Sequence, residues 1–211
     1  MNKEPPVMLP VSAAILTGGK SRRMGEPKAL LRLEPAGPTL IERVVGTLRA
    51  VAEDVFLVGR PDWPPPDALA AMRMVEDDRQ GAADGLIAAL AGARHELCIV
   101  TACDMPFLDA GFLAEMIAIA RDRGRSVLAR DDTGRHPLHA VYRRVDLPQI
   151  RQDVSAGDRS LIRLCEAIEA IPMDTGRDRA RGWSVFNINT PDDLAEARRY
   201  DRLLKEHPVH D

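Results

Sequence analysis

Aromatic side chains are scarce in this 211-residue chain, at 4% or eight rings in all. That leaves little material for the stacking platforms on which single-stranded nucleic acids are held. Positive charge is not in excess either: the formal net charge is −3, whereas a nucleic-acid-binding domain is usually strongly basic on one face. Cysteine occurs only at Cys98, Cys103 and Cys165, with no CxxC pair, which excludes a zinc knuckle and a disulfide framework. Three thiols among apolar neighbours suit a reducing compartment. No apolar run approaches the length of a membrane span. The stretch 7–16 could pass for a short signal-peptide core but is not expected to be one, because Pro10 interrupts it, Glu4 offsets Lys3, and a basic glycine loop follows where a cleavage site would stand. The expectation is a cytoplasmic protein with neither a nucleic-acid nor a membrane partner. The length fits a single domain over 1–211, with its core at about 10–205.

Short apolar runs alternate with helical periodicity. Strands are expected at 11–17, 54–58, 72–75, 97–101, 126–130, 138–143, 170–173 and 184–187. Helices are expected at 39–52, 83–93, 109–123, 158–169 and 191–206. The last has Thr190 as N-cap, Pro191 in its first position and Asp193 placed for a capping-box contact. Such alternation implies an α/β fold, a largely parallel sheet with helices on both faces. Ligands of such sheets bind at the carboxyl ends of the strands.

The richest segment is 15–28, Ile-Leu-Thr-Gly-Gly-Lys-Ser-Arg-Arg-Met-Gly-Glu-Pro-Lys. Its glycines allow close backbone approach, and Lys20, Arg22, Arg23 and Lys28 oppose the single acid Glu26. A buried strand emptying into a glycine-rich basic loop is a means of holding phosphate. It is not a P-loop, because the first glycine of G-x-x-x-x-G-K-[ST] would fall on Ala14, nor does it spell G-x-G-x-x-G. In a mildly acidic protein this local charge favours a small anionic ligand.

Other candidates follow later strands. Asp104, in Thr-Ala-Cys-Asp-Met-Pro, is suited either to ligate Mg²⁺ between phosphate oxygens or to cap the helix that follows. Asn187 and Asn189 alternate along an expected strand end, so that both amides can face one site. His136 and His139 flank Pro137 on a strand that would turn them to opposite faces, which argues against zinc. Glu76, Asp77 and Asp78 read as a solvated acidic turn, and Arg177, Arg179 and Arg181 as a solvated loop able to close over an anionic substrate.

Taken in order, Leu16-Thr17-Gly18-Gly19, Ser21-Arg22-Arg23-Met24-Gly25, Lys28, Val75-Glu76-Asp77, Cys103-Asp104-Met105-Pro106-Phe107, His136-Pro137 and Asn187-Ile188-Asn189-Thr190-Pro191 resemble the molybdenum cofactor guanylyltransferase family, within the MobA-like nucleotidyltransferases. The resemblance spans about 12–198. It implies a Rossmann-like three-layer αβα sandwich with a mostly parallel, mixed sheet of the nucleotide-diphospho-sugar transferase type. The implied reaction transfers GMP from GTP, with Mg²⁺, to the phosphate of a molybdopterin acceptor and releases pyrophosphate. It also implies a nucleotide site at Leu16, Thr17, Gly18, Gly19, Lys28, Asp77 and Asp104, with Asp104 on the metal. Asn187 and Asn189 would stand near metal and acceptor, and Arg22, Arg23, Lys28 and Asp104 would carry catalysis. A monomer that meets molybdoenzyme chaperones is the expected state.

The chain departs from that family at three places. Thr17 replaces alanine, the segment Gly25-Glu26-Pro27-Lys28 is one residue short and lacks an Asp before the lysine, and Val58 or Gly59 stands where an asparagine is usual. The Met-Gly-x-Pro-Lys segment resembles cytidylyltransferases and sugar-1-phosphate nucleotidyltransferases, which keeps those substrates open. A nucleotide-binding adaptor without turnover is the alternative of another class. Gly19, in place of the alanine of cofactor cytidylyltransferases, favours the larger guanine.

Overall fold

The computed structural model describes residues 10–18, 27–61, 63–78, 81–176 and 178–206. Seven strands form one sheet: β1 (Val11–Leu16), β2 (Asp54–Val58), β3 (Met74–Val75), β4 (Leu97–Ala102), β5 (Val127–Asp131), β6 (Gly134–Arg143) and β7 (Ile171–Asp174). Their spatial order is β3-β2-β1-β4-β6-β5-β7. β6 runs antiparallel to both neighbours and every other pairing is parallel. The expected mostly parallel, mixed α/β sheet is therefore present. The strand ends expected to carry ligands share one edge of it.

The central strands are mostly apolar because each of their two faces is covered. Val11, Ala13 and Ile15 of β1 and Leu97 and Ile99 of β4 pack with α1 (Leu40–Arg49) and α3 (Ala110–Arg123). The alternate residues Ala14, Leu16, Cys98 and Val100 enter a second core with α2 (Ala82–Gly92), α4 (Leu147–Ser155) and α5 (Leu161–Ala167). α2 lies close to the sheet, since a Cβ on Gly92 would meet Val75 Cγ2 at 2.8 Å. A smaller third core joins Leu31, Leu33 and Leu40 to Ile188, and to Leu194 and Ala197 of α7 (Pro191–Glu206). The 2.8 Å ion pair between Arg43 of α1 and buried Asp201 of α7 holds the same junction.

Two elements differ from expectation. No strand forms at 184–187. There Asp178 accepts N–H bonds from Ala180 and Arg181 and caps a short helix, α6 (Arg179–Ser184), whose Trp183 stacks on Tyr200 with centroids 3.9 Å apart. The apolar run is thus consumed by aromatic packing and not by a sheet ladder. α4 is not among the expected helices; its Pro148 sits in the first turn, where the missing N–H costs nothing. The capping of α7 is as expected: Asp193 N–H donates to Thr190 Oγ1 at 3.2 Å, and Thr190 N–H donates to Asp193 Oδ2 at 2.7 Å. All three cysteines are free thiols. Among the described residues, no helix is long and apolar enough to cross a membrane.

At the opposite, amino-terminal edge of the sheet, Asp54 is nearly buried and holds β2 to its neighbours. It accepts from Ser12 Oγ at 2.9 Å and from Arg73 Nη2 at 2.8 and 2.9 Å. Burial alone would raise its pKa, but the Arg73 and Ser12 hydrogen bonds prevail and hold it below the usual carboxylate range. A lowered folded-state pKa gives stability that is present above the unfolded value and lost as pH falls through the folded one. Asp54→Asn is therefore expected to cost on the order of 3 kcal/mol at neutral pH. The loss should shrink below about pH 4. Urea melts of both proteins at pH 7 and pH 3.5 check this; an equal loss at both would contradict it.

Candidate active site

Three chain segments remote in sequence meet at the carboxyl edge of the sheet. The first follows β1. Pro27, with φ near −60°, leads into a single 3-10 turn, Lys28–Leu30, which the third core anchors through Leu31 and Leu33. The second follows β4, where Cys103 N–H still reaches Leu16 O at 3.3 Å before the chain turns through Asp104. The third is the extended link from α6 to α7 that carries Asn187 and Asn189. Ile188, fully buried between the two asparagines, donates its N–H to Asp104 O at 3.0 Å. That bond staples the third segment to the second.

Lys28 Nζ stands at the meeting point, 2.8 Å from Asn189 Oδ1 and 3.4 Å from Asp104 Oδ2. Asp104 is only 16% exposed. Burial pushes its carboxyl above the ordinary aspartate range, against the opposing pull of Lys28. Its second oxygen, Oδ1, is buried with no hydrogen-bond partner among the described residues. An anionic oxygen in that condition calls for a cation. A hard divalent ion such as Mg²⁺ fits it, since Mg²⁺ commonly takes only one or two carboxylates and fills its remaining positions with water and phosphate oxygens. The alternative role weighed for Asp104, capping the following helix, is filled instead by Asp109, which accepts the Phe112 N–H.

Asn187 and Asn189 behave differently. Asn189 faces Lys28, while Asn187 turns back to its own segment, its Nδ2 donating to Val185 O at 3.3 Å. The strand geometry expected to aim both amides at one site is absent, because the segment is a link between helices. Asp193 fixes that link at its far end by accepting the Asn189 and Thr190 N–H groups, each at 2.7 Å. Burial works to raise the Asp193 pKa, and these backbone bonds outweigh it and lower the value.

A second feature lies beside this centre. Thr17 N–H and Oγ1–H both donate to Val58 O, at 2.9 and 2.8 Å, and Gly59 N–H donates to Val75 O at 2.9 Å. The ends of β1, β2 and β3 are thus laced together into a cradle with Asp77 at its wall. Gly59 adopts φ +104°, and a Cβ there would meet Thr17 Oγ1 at 3.3 Å and Gly18 N at 3.4 Å. Only glycine suits that position. Asp77 Oδ2 lies 3.8 Å from the Cβ that Gly59 lacks and 3.9 Å from the one that Gly18 lacks. The acidic run 76–78 is therefore not wholly a solvated turn, since half-buried Asp77 faces the two glycines. Gly19, Arg22 and Arg23 lie outside the described residues, as does Arg177.

Other expectations are corrected nearby. β6 pairs Ala129 with His136 and Thr101 with His139, across an irregularity between Leu128 and Ala129. Residues paired across a ladder share a face. Ala129 belongs to the same core face as Val141, so the irregularity returns His136 to the face that His139 occupies. Arg181 is not in a solvated loop: it pairs with Glu115 of α3 and lies over the Phe112 ring, 5.3 Å from its centroid. The aromatic cluster of Phe107, Trp183, Phe186 and Tyr200 escaped the sequence reading. Its rings pack edge-on, tilted or stacked at 3.9–5.5 Å, with Phe107 and Phe186 against the third core. The signal was present, since Phe107 and Phe186 each stand beside a motif in a chain poor in rings.

This geometry agrees with what the chain is similar to. Residues 13–171 match the MobA-like NTP transferase domain family. A probable molybdenum cofactor guanylyltransferase of Pelotomaculum thermopropionicum is 34% identical over 198 residues, 90% of this chain and 93% of that one. One of Chloroflexus aggregans is 33% identical over 92% of this chain and 97% of its own length. Among solved structures, molybdopterin-guanine dinucleotide biosynthesis protein A of Archaeoglobus fulgidus superposes with a TM-score of 0.73 at 25% identity, covering 91% of this chain and 99% of that one. With the family matched across most of its length and the motif residues gathered at one sheet edge, the chain belongs to the MobA-like NTP transferases.

Proposed function

We propose that the chain is a molybdenum cofactor guanylyltransferase, transferring GMP from GTP to the phosphate of a molybdopterin acceptor in the cytoplasm. The observation that carries this reading is the convergence of Lys28, Asp104 and Asn189, which are far apart in sequence, at one point of the carboxyl edge. In the reaction an acceptor phosphate oxygen attacks the α-phosphorus in line. The bond to the β-phosphate oxygen breaks, and pyrophosphate leaves with the electron pair. Such a transfer needs positioning and charge neutralisation more than covalent help.

Lys28 is the cation placed to meet the developing negative charge, with Arg22 and Arg23 of the same loop as its expected companions. Asn189 holds the Lys28 ammonium by its carbonyl oxygen, and so keeps it from collapsing fully onto Asp104. Asp104 would hold Mg²⁺, which when bound neutralises phosphate oxygens. The base would rest in the Gly18–Gly59 cradle against Asp77. An ionised carboxylate only accepts hydrogen bonds, and guanine is the common base whose edge offers two adjacent donors, N1–H and N2–H. Cytosine presents a single donor group beside an acceptor, so Asp77 supports guanine over cytosine.

The test is pyrophosphate release from each nucleoside triphosphate with Mg²⁺ and molybdopterin. Release is expected with GTP and is expected to stop when the divalent ion is chelated. Release with CTP alone would move the chain to the cytidylyltransferases. Release with a sugar phosphate and none with molybdopterin would replace the acceptor.

A further inference from the structure

We infer that His139 is a positioning residue of the transfer site, setting through Ser184 where Asn189 stands relative to Lys28 and Asp104. This rests on the reading of those three residues as the reaction centre. His139 is wholly buried in β6, opposite Thr101 of β4, with its ring 5.7 Å from that of Phe112. Its Nδ1 is 3.1 Å from the carbonyl oxygen of Ser184. A carbonyl only accepts, so the proton sits on Nδ1, and the imidazole donates from the sheet to the last residue of α6.

From that residue the chain runs directly to the centre. Val185 O takes the Asn187 amide, Ile188 N–H binds Asp104 O, and Asn189 Oδ1 receives Lys28. The link makes no sheet ladder, so its placement depends on tethers at its two ends. At the α6 end the Arg181–Glu115 ion pair and the Trp183–Tyr200 stack fix the helix, and His139 adds the hydrogen bond to its last residue; the Ile188 and Asp193 contacts supply the others.

The site is an expensive place for an imidazole. Nε2 is buried and unpartnered among the described residues, and burial pushes the pKa down to about 4, so the ring is neutral at working pH. Packing alone would be served as well by leucine, with no unpartnered ring nitrogen to bury. What leucine lacks is the Nδ1–H donor.

The experiment compares His139→Leu and His139→Asn, in the full chain, with the wild type. The asparagine amide nitrogen falls near the Nδ1 position and can restore the bond. For His139→Leu, kcat is expected to fall ~10–100-fold, the cost of a small misplacement at a reacting centre. The KM for GTP should stay within about twofold, because the cradle at β1–β3 is untouched. His139→Asn should recover most of kcat. The side-chain amide resonances of Asn187 and Asn189, read without any substrate, should move in His139→Leu and return in His139→Asn. If His139→Leu does not fold, His139→Gln, whose longer amide overshoots the Nδ1 position, takes its place. Wild-type kcat with unmoved amide resonances in the leucine variant would overturn the inference. So would a joint fall of kcat, GTP affinity and Tm in both variants. A wild type that turns over no acceptor would instead count against the proposed reaction, and the amide resonances would still decide the role of His139.

Discussion

Asp104→Asn is expected to lower kcat by about 10²–10³ while leaving the protein folded, the loss usual for removal of one dedicated stabiliser of developing charge. The side chain keeps its shape and one oxygen toward Lys28 Nζ, which lies 3.4 Å from Oδ2 in the wild type. What it loses is the negative charge, and with it the affinity for a hard divalent ion. Burial already makes this carboxylate costly, as its raised pKa records. A neutral amide therefore should not lower Tm and is expected to raise it slightly, the exchange of stability for function often found at active sites. Steady-state kinetics paired with a thermal melt separate the two outcomes. Full activity in the variant would remove Asp104 from the reaction, and a Tm lowered in step with kcat would make its role structural.

The second large effect concerns the base. Asp77→Asn is expected to reduce kcat/KM for GTP by about 10–100-fold, the worth of one or two hydrogen bonds to a charged group. The amide turns one acceptor into a donor, which then opposes a donor on the guanine edge. A nucleotide variant sharpens the test. Inosine triphosphate lacks the 2-amino group, so the wild type should use it about tenfold less well than GTP. In Asp77→Asn that ratio should approach one, because the partner of the missing amine is already gone. An unchanged ratio would place the guanine elsewhere. The geometry behind this expectation is the gap left by two absent side chains: Asp77 Oδ2 lies within 3.9 Å of the Cβ positions that Gly18 and Gly59 leave empty.

How much of this was legible in the sequence varied with the range of the physics involved. β2 was read to its ends, 54–58, because an apolar run bounded by a charged residue and a glycine carries both its limits locally. β6 starts earlier than its apolar run, at Gly134, because Asp131 accepts the Thr133 and Gly134 N–H groups and closes a turn there. The run 184–187 has strand-like composition but ends a helix, since the partner that claims Trp183 is Tyr200 of α7. No local rule could supply that partner. Of the site, residue types were legible and their meeting was not. The bond from Lys28 to Asn189 closes a separation of 161 residues. Asp77 carried only the look of a solvated turn until the glycines facing it were placed by the sheet.

The scarcity of aromatic rings has a practical side. The chain has two tryptophans, and they stand in different surroundings. Trp63 is buried against the α1 and α3 face. Trp183 lies nearly parallel to Tyr200, at 6°, and touches Phe186, the neighbour of Asn187. Trp63→Phe would leave one indole as the sole long-wavelength emitter, attached to the segment that carries both asparagines. The protein thus has a native optical gauge at that side of its site, able to follow rearrangement there in real time without a label.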